Sequence, residues 1–125
     1  MQVIKVYKCL CNLERLRILN LLRGGPLCVC HLMEILGLDQ VKISKQLRYM
    51  KVLGAVESTR KAQWMVYKLP ANPNTLLEQN LKCLQDVATE EVCFADDLRK
   101  RAAILSCIEQ AGSDCPEDVF ADRKA

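Results

Sequence analysis

A short apolar helix and a basic one, joined through Gly37-Leu38-Asp39, most constrain what this chain can fold into. Residues 28 to 36 carry helical spacing and stop at Gly37, a natural left-handed position just past a helix end. Asp39 then offers an N-cap for residues 40 to 53, where Ile43, Leu47 and Met50 make an inward stripe and Gly54 ends the segment. Two cysteines, Cys28 and Cys30, stand at the head of this helix pair. Thiolates select soft ions, and a helix pair of this kind lays a basic face in a DNA groove. Soft ligands and a reading helix therefore belong to one unit.

The rest of the chain supplies a frame for that pair. Residues 3 to 10 and 13 to 23 place apolar side chains at helical intervals, and Gly24-Gly25-Pro26 closes them sharply. After Gly54 the period changes. Val56-Glu57-Ser58-Thr59 and Trp64-Met65-Val66-Tyr67 are β-formers flanking Arg60-Lys61-Ala62-Gln63, a pattern that predicts a hairpin with basic residues at its tip. Asn72-Pro73-Asn74 opens a helix reaching about residue 88, and Thr89-Glu90-Glu91 caps a last one running to Gly112. The expected fold class is mainly α with a β-hairpin wing, a winged helix-turn-helix. The expected organisation is a DNA-binding and dimerisation domain over 1–88, an added C-terminal helix over 89–112 and a mobile tail over 113–125.

Charge is divided along the chain in a way that the net value of +3 conceals. Residues 40 to 68 hold seven basic side chains against Glu57 alone, a local excess of +6, while residues 89 to 122 hold nine acidic ones against Arg99, Lys100 and Arg101, an excess of −6. A basic middle suits a polyanion, because Lys and Arg contacts to phosphate release counterions. The plainer alternative is a solvated face, and charge alone does not decide between them.

At 125 residues and half hydrophobic composition, the chain is one domain that buries a core without disulfide staples. Met1-Gln2-Val3-Ile4-Lys5 lacks the apolar region of a signal peptide, and no apolar run approaches membrane-spanning length. The expectation is a cytoplasmic protein with no membrane partner, whose eight cysteines are reduced. A Cys-X-Cys pair is not the Cys-X-X-Cys of thioredoxin-like enzymes, and neither a Gly-rich phosphate loop nor a Ser/His/Asp set is evident. The chain therefore reads as no enzyme. A zinc site of several histidines and carboxylates is close to excluded by the single histidine.

Four separated segments, Arg15-Leu16-Arg17-Ile18-Leu19-Asn20-Leu21-Leu22, Leu27-Cys28-Val29-Cys30-His31-Leu32, Ile43-Ser44-Lys45-Gln46-Leu47-Arg48 and Trp64-Met65-Val66-Tyr67-Lys68-Leu69, resemble in order and spacing the ArsR/SmtB metal-responsive repressors. The resemblance covers roughly residues 5 to 88 and is strongest toward the arsenical resistance operon repressors. It implies a homodimer formed through the first and fifth helices, which binds double-stranded operator DNA with no cofactor and leaves it when As(III) or Sb(III) binds. It also implies that Cys28 and Cys30 are metal ligands. The arsenic repressors carry a third cysteine where this chain has Met33, whose thioether is a weaker donor, so that role is not carried over.

In a helix, residues two apart point nearly opposite ways. If Cys28 and Cys30 are both helical, chelation must unwind the helix start, and the recognition helix across the turn would feel it. The helix dipole also favours thiolate at this end. Third-ligand candidates are Cys9, Cys11, Cys83, Cys93 and Cys107, with Cys115 in the tail, and spacing singles out none of them. With no third thiolate, a methylated trivalent arsenical, which accepts two, becomes the better inducer. His31 is read as lying on an exposed helix face.

On the DNA side, Gln40, Lys42, Ser44, Lys45 and Arg48 are placed on the outer face of the second helix, where Gln can read adenine and Lys or Arg can read guanine or hold phosphate. Arg60 and Lys61 are assigned to the flanking backbone or minor groove. The alternatives on the same scaffold are a thiol-redox or persulfide response and, below that, a Cd or Pb response.

Overall fold

The computed structural model describes the backbone of residues 3–88 and 91–111, and the side chains of 3–86 and 91–106. In chain order the elements are α1 (Val3–Leu10), α2 (Leu13–Leu22), β1 (Leu27–Cys28), α3 (Val29–Leu36), α4 (Gln40–Leu53), β2 (Glu57–Lys61), β3 (Trp64–Lys68), α5 (Thr75–Ala88) and α6 (Val92–Ala111). The expected tail, Cys115 and the Thr89-Glu90 part of the expected cap lie outside the described residues. So does the Cys107 side chain.

Local chemistry sets the boundaries. Asn12 caps α2 by accepting from the Arg15 N–H at 3.0 Å, and Asp39 caps α4 by accepting from Lys42 at 2.9 Å. Asn74 caps α5, its Oδ1 accepting from Leu76 and Leu77. Gly37 ends α3 at φ 67°, and its N–H donates to the Met33 carbonyl at 2.9 Å. A Cβ would find room at Gly37 but not an unstrained backbone, so glycine is there for its torsion.

The core is one cluster. Ile18, Leu19 and Leu21 of α2, Leu32 and Ile35 of α3, and Ile43, Leu47 and Met50 of α4 are fully buried, with Val6 of α1 and Leu77 of α5 closing it at two sides. Burying a side chain of this size contributes about 1.5–3 kcal/mol, so this apolar set carries the helix-turn-helix geometry.

The sheet has three strands, not the two of a simple hairpin. Its order is β1-β3-β2, all antiparallel, with Leu27 opposite Tyr67 and Cys28 opposite Val66. A two-residue strand is too short for any period to announce it. The wing also differs in detail from the expectation. Arg60 and Lys61 are the last two residues of β2, paired with Met65 and Trp64, so the turn consists of Ala62 and Gln63. Alternation along a strand then sends the two basic side chains to opposite faces: Arg60 is exposed and Lys61 half-buried.

Helix α6 packs back on α2 and α3. Asp97 receives a two-pronged ion pair from Arg17, and the Arg101 guanidinium approaches Gly24 so closely that a Cβ there would lie 2.9 Å from its Cζ.

Candidate sensor site and nucleic-acid interface

Three donor atoms meet where β1 ends and α3 begins. Cys28 is the last residue of β1 and also the N-cap of α3, with extended backbone at φ −87° and ψ 162°. Its side chain makes no capping hydrogen bond. Counting from this cap, Cys30 is the second helical residue and His31 the third. A helix start brings the cap side chain against the side chain three positions on, the geometry that capping boxes use. Here it sets Cys28 Sγ 3.1 Å from His31 Nδ1 and 2.9 Å from Cys30 Sγ. The ligand atoms of the three residues all lie within 4.8 Å of one another.

Two expectations are corrected by this arrangement. Cys28 and Cys30 need no unwinding to converge, because Cys28 is not helical and its extended backbone swings the sulfur over the first turn. Nor does His31 lie on an exposed face: it is 6% exposed and packed against a sulfur. The signal for it is its place three residues after a cysteine cap, which is visible only once the cap is known to be residue 28.

Burial pushes the His31 ring below the usual histidine range, and Glu34 draws it part of the way back. A neutral ring offers one nitrogen lone pair, which a thiol proton or a metal ion can take. Cys28 is buried and Cys30 exposed, so the cluster is open to solvent on one side. The other candidate cysteines lie elsewhere. Cys9 is buried on α1, Cys11 is exposed after it, Cys83 is exposed on α5 and Cys93 is half-buried on α6. Among the described residues, none of them joins Cys28 and Cys30 in a ligand cluster. Met33 is half-buried against the core.

The outer face of α4 holds Gln40, Lys42, Lys45 and Arg48 exposed and Ser44 half-buried, opposite the stripe of Ile43, Leu47 and Met50. Val41, 76% exposed, sits one turn before Lys45 on this face, an apolar side chain absent from the sequence-based set. Its signal is a β-branched residue outside the inward stripe.

Arg15 is a further bridging residue outside that set. Its Nε and Nη2 donate to the Cys9 and Lys8 carbonyls at the end of α1, its Nη1 donates to Gln46 Oε1 on α4 at 3.0 Å, and its guanidinium lies 4.3 Å from the Tyr49 ring centre. Gln46 Nε2 in turn donates to Glu14 Oε1 at 2.9 Å. Two side chains of α2 thereby fix α1 and α4 to each other.

Residues 13–58 match the family described as bacterial regulatory protein, arsR family. The arsenic resistance transcriptional regulator ArsR1 of Pseudomonas putida (strain KT2440) is 38% identical over 95 residues, spanning 75% of this chain and 73% of that protein. Among solved structures, HlyU from Vibrio cholerae N16961 superposes with a TM-score of 0.61 at 27% identity, covering 67% of this chain and 88% of that one. The homodimeric winged helix-turn-helix DNA-binding domain Mb0332 from Mycobacterium bovis does so with a TM-score of 0.59 at 30% identity, covering 70% and 79%. The matched segment holds both the sulfur cluster and the α4 face, and the chain belongs to the ArsR family of bacterial regulatory proteins as a winged helix-turn-helix transcriptional repressor.

Proposed function

We propose that the chain is a homodimer which holds operator DNA in its unliganded state and releases it when As(III), Sb(III) or a methylated trivalent arsenical bridges Cys28 and Cys30. The observation that carries this reading is the 2.9 Å contact between the two sulfurs at a strand-to-helix junction. Arsenite needs no electron transfer there. Each thiol gives up its proton, one arsenite hydroxyl leaves as water, and an As–S bond forms; two such exchanges bridge the pair.

The junction also supplies the coupling. Cys28 is tied through β1 to β3 of the wing, and Cys30 rides on α3, which packs on α4. A ligand gripping both sulfurs acts on the angle between sheet and helix pair, and so on the spacing between wing and reading helix. Distortion at the hinge, rather than melting of the helix, is the switch.

Dimerisation is assigned to α1 and α5. Helix α1 exposes Val3, Ile4 and Tyr7, each more than half accessible and gathered on one short helix. The homodimeric state of Mb0332 supports a homodimer. On DNA, Gln40, Lys42, Ser44, Lys45 and Arg48 enter the major groove, Val41 offers an apolar contact to a thymine methyl, and Arg60 approaches the flanking backbone, with Lys61 behind it on the other face of β2.

The test uses reduced protein and an operator selected from a random duplex pool, with binding followed by fluorescence anisotropy. Cys28→Ser and Cys30→Ser should each bind DNA as the wild type does and fail to release it on adding arsenite, because a serine hydroxyl stays protonated and hard at neutral pH. Release of both variants at the wild-type arsenite concentration defeats the reading. Release by peroxide without release by arsenite would replace it with a thiol-redox switch.

A further inference from the structure

We propose that Cys28, Cys30 and His31 of a single protomer form a three-donor site for a divalent d10 ion, Cd(II) or Zn(II), with the fourth position left to solvent. The inference shares Cys28 and Cys30 with the arsenic reading and adds His31, which that reading does not use.

Donor chemistry is the first argument. Two thiolates and an imidazole are a borderline-soft set that suits zinc and its heavier relative, ions without a geometric preference of their own. Trivalent arsenic is served by the sulfurs alone. The nitrogen therefore discriminates between the two ion classes.

Geometry is the second. A tetrahedral ion with metal–sulfur bonds of about 2.3 Å and metal–nitrogen bonds of about 2.0–2.1 Å requires its sulfurs roughly 3.8 Å apart and each sulfur roughly 3.6 Å from the nitrogen. The sulfurs stand 2.9 Å apart and Cys28 Sγ stands 3.1 Å from Nδ1. The two pairs that include Cys28 have to open by less than about 1 Å, within reach of small side-chain rotations, and the Cys30 sulfur lies within 4.8 Å of the ring nitrogen. No backbone hydrogen bond of α3 need break.

Charge and access complete it. Cys28 and His31 are buried, and a site built of two thiolates and a neutral ring holds a dication with no net charge, which avoids the large cost of burying an unbalanced ion. The exposed sulfur of Cys30 gives the entry side and the open position. All three ligands fall within four consecutive residues, so neither the second protomer nor any cysteine of α1, α5 or α6 is needed.

His31 is the chain's single histidine, so its imidazole nitrogens give unambiguous signals. Full-length reduced protein, labelled with 15N and saturated with 113Cd(II), should show scalar coupling between the metal and Nδ1. The wild type alone supplies this readout, independent of how any variant folds. In parallel, Cd(II) titrated against a competing chelator should give one equivalent per protomer, unchanged by Cys9→Ser or Cys83→Ser. His31→Gln should weaken Cd(II) and Zn(II) by more than the roughly ten- to hundredfold that follows loss of an outer-shell partner, while leaving the arsenite concentration for DNA release unchanged. Saturation with no coupling at Nδ1 overturns the proposal, as does His31→Gln binding Cd(II) as tightly as the wild type. Loss of arsenite-driven release with the 113Cd coupling intact would instead defeat the arsenic reading and leave this site standing.

Discussion

Arg17 and Asp97, 80 positions apart in the chain, face each other in a two-pronged ion pair, Nε donating to Oδ2 at 2.9 Å and Nη2 to Oδ1 at 2.8 Å. The carboxylate side is 1% exposed and the guanidinium 19%, so the pair is largely shielded from solvent. It anchors α6 to α2. Removing one partner strands the other charge, and Asp97→Ala is expected to lower unfolding stability by about 2–4 kcal/mol. Arg99→Ala breaks only the surface pair with Asp96 and should change stability by less than about 1 kcal/mol. Urea denaturation followed by circular dichroism compares them, and equal effects would remove the anchoring role.

A second prediction concerns residues that need not touch DNA. Arg15 links the end of α1 to Gln46 and Tyr49 on α4, while Gln46 also binds Glu14. Gln46→Ala leaves every basic side chain of α4 in place but frees the helix from that bracket. Operator affinity should fall by about three- to tenfold, as expected when the two charge-assisted hydrogen bonds that position α4, one from Arg15 and one to Glu14, are removed and about 1 kcal/mol of their worth is felt at the DNA. The salt dependence of binding should not change, since every phosphate contact stays in place. A changed salt slope would mean that the basic side chains of α4 lose phosphate contacts once the bracket is gone.

What the sequence made legible follows from where its signals were periodic or chemical. The stripe of Ile43, Leu47 and Met50 and the caps Asp39 and Gly37 all speak locally, and α3, α4 and the turn between them could be read from them. The β-formers flanking basic residues announced the wing, the Cys-X-Cys at the head of the helix pair marked Cys28 and Cys30 as candidate ligands, and the resemblance in four segments joined these into one family pattern. Strand β1 escaped because two residues hold no period and its partner strand β3 is distant in the chain. That miss propagated: with Cys28 taken as helical, the sulfurs had to diverge, and one boundary residue, extended instead of helical, reverses that conclusion. The exposed position expected of His31 fails separately, since its ring is buried against the Cys28 sulfur. The Arg17–Asp97 and Arg15–Gln46 contacts were invisible for a different reason, since charged residues at long separation carry no pairing code.

Ala62 sits at φ 56°, in the turn between Lys61 and Trp64, a conformation that costs a residue with a Cβ about 1 kcal/mol relative to glycine. Ala62→Gly should therefore be neutral to stabilising, by up to about 1 kcal/mol. Thermal unfolding of the two proteins at equal concentration tests it. A larger destabilisation would mean that the turn is held by something other than its backbone.

Cys9 and Cys11 should differ sharply toward alkylating agents. Burial holds the Cys9 thiol above its ordinary value of 9.0, although the neighbouring Arg15 opposes the shift, and the side chain is 1% exposed; Cys11 is exposed. Because the native pKa is raised, the unfolded chain loses this proton first. Between 9.0 and the native value the folded state binds more protons, and stability falls as pH rises. Urea midpoints measured from about pH 8 to about pH 10 should decline more steeply in the wild type than in Cys9→Ala. Mass spectrometry after brief iodoacetamide treatment should find Cys11 modified well before Cys9. Equal labelling rates in native protein would contradict the burial of α1's inner face.

The basic face makes the last prediction, and the sheet register sharpens it. Lys45 and Arg48 project from α4 with Gln40 and Lys42, whereas Arg60 and Lys61 alternate across β2, one exposed and the other half-buried opposite Trp64. Removing one side chain that binds a phosphate lowers the slope of log affinity against log salt by about 0.9. Lys45→Ala and Arg48→Ala should weaken binding to the selected operator, with a base-reading residue costing about 1–3 kcal/mol and relaxing specificity at one position. Arg60→Ala should reduce the slope by about one while leaving sequence preference intact, and Lys61→Ala should do less, because its strand position turns it away from the face that Arg60 occupies. Anisotropy titrations over a series of salt concentrations separate these cases. Equal slope changes at 60 and 61 would mean that the wing meets DNA through its turn rather than through one face of β2, and no change in any of these variants would reduce the basic segment to a solvated surface.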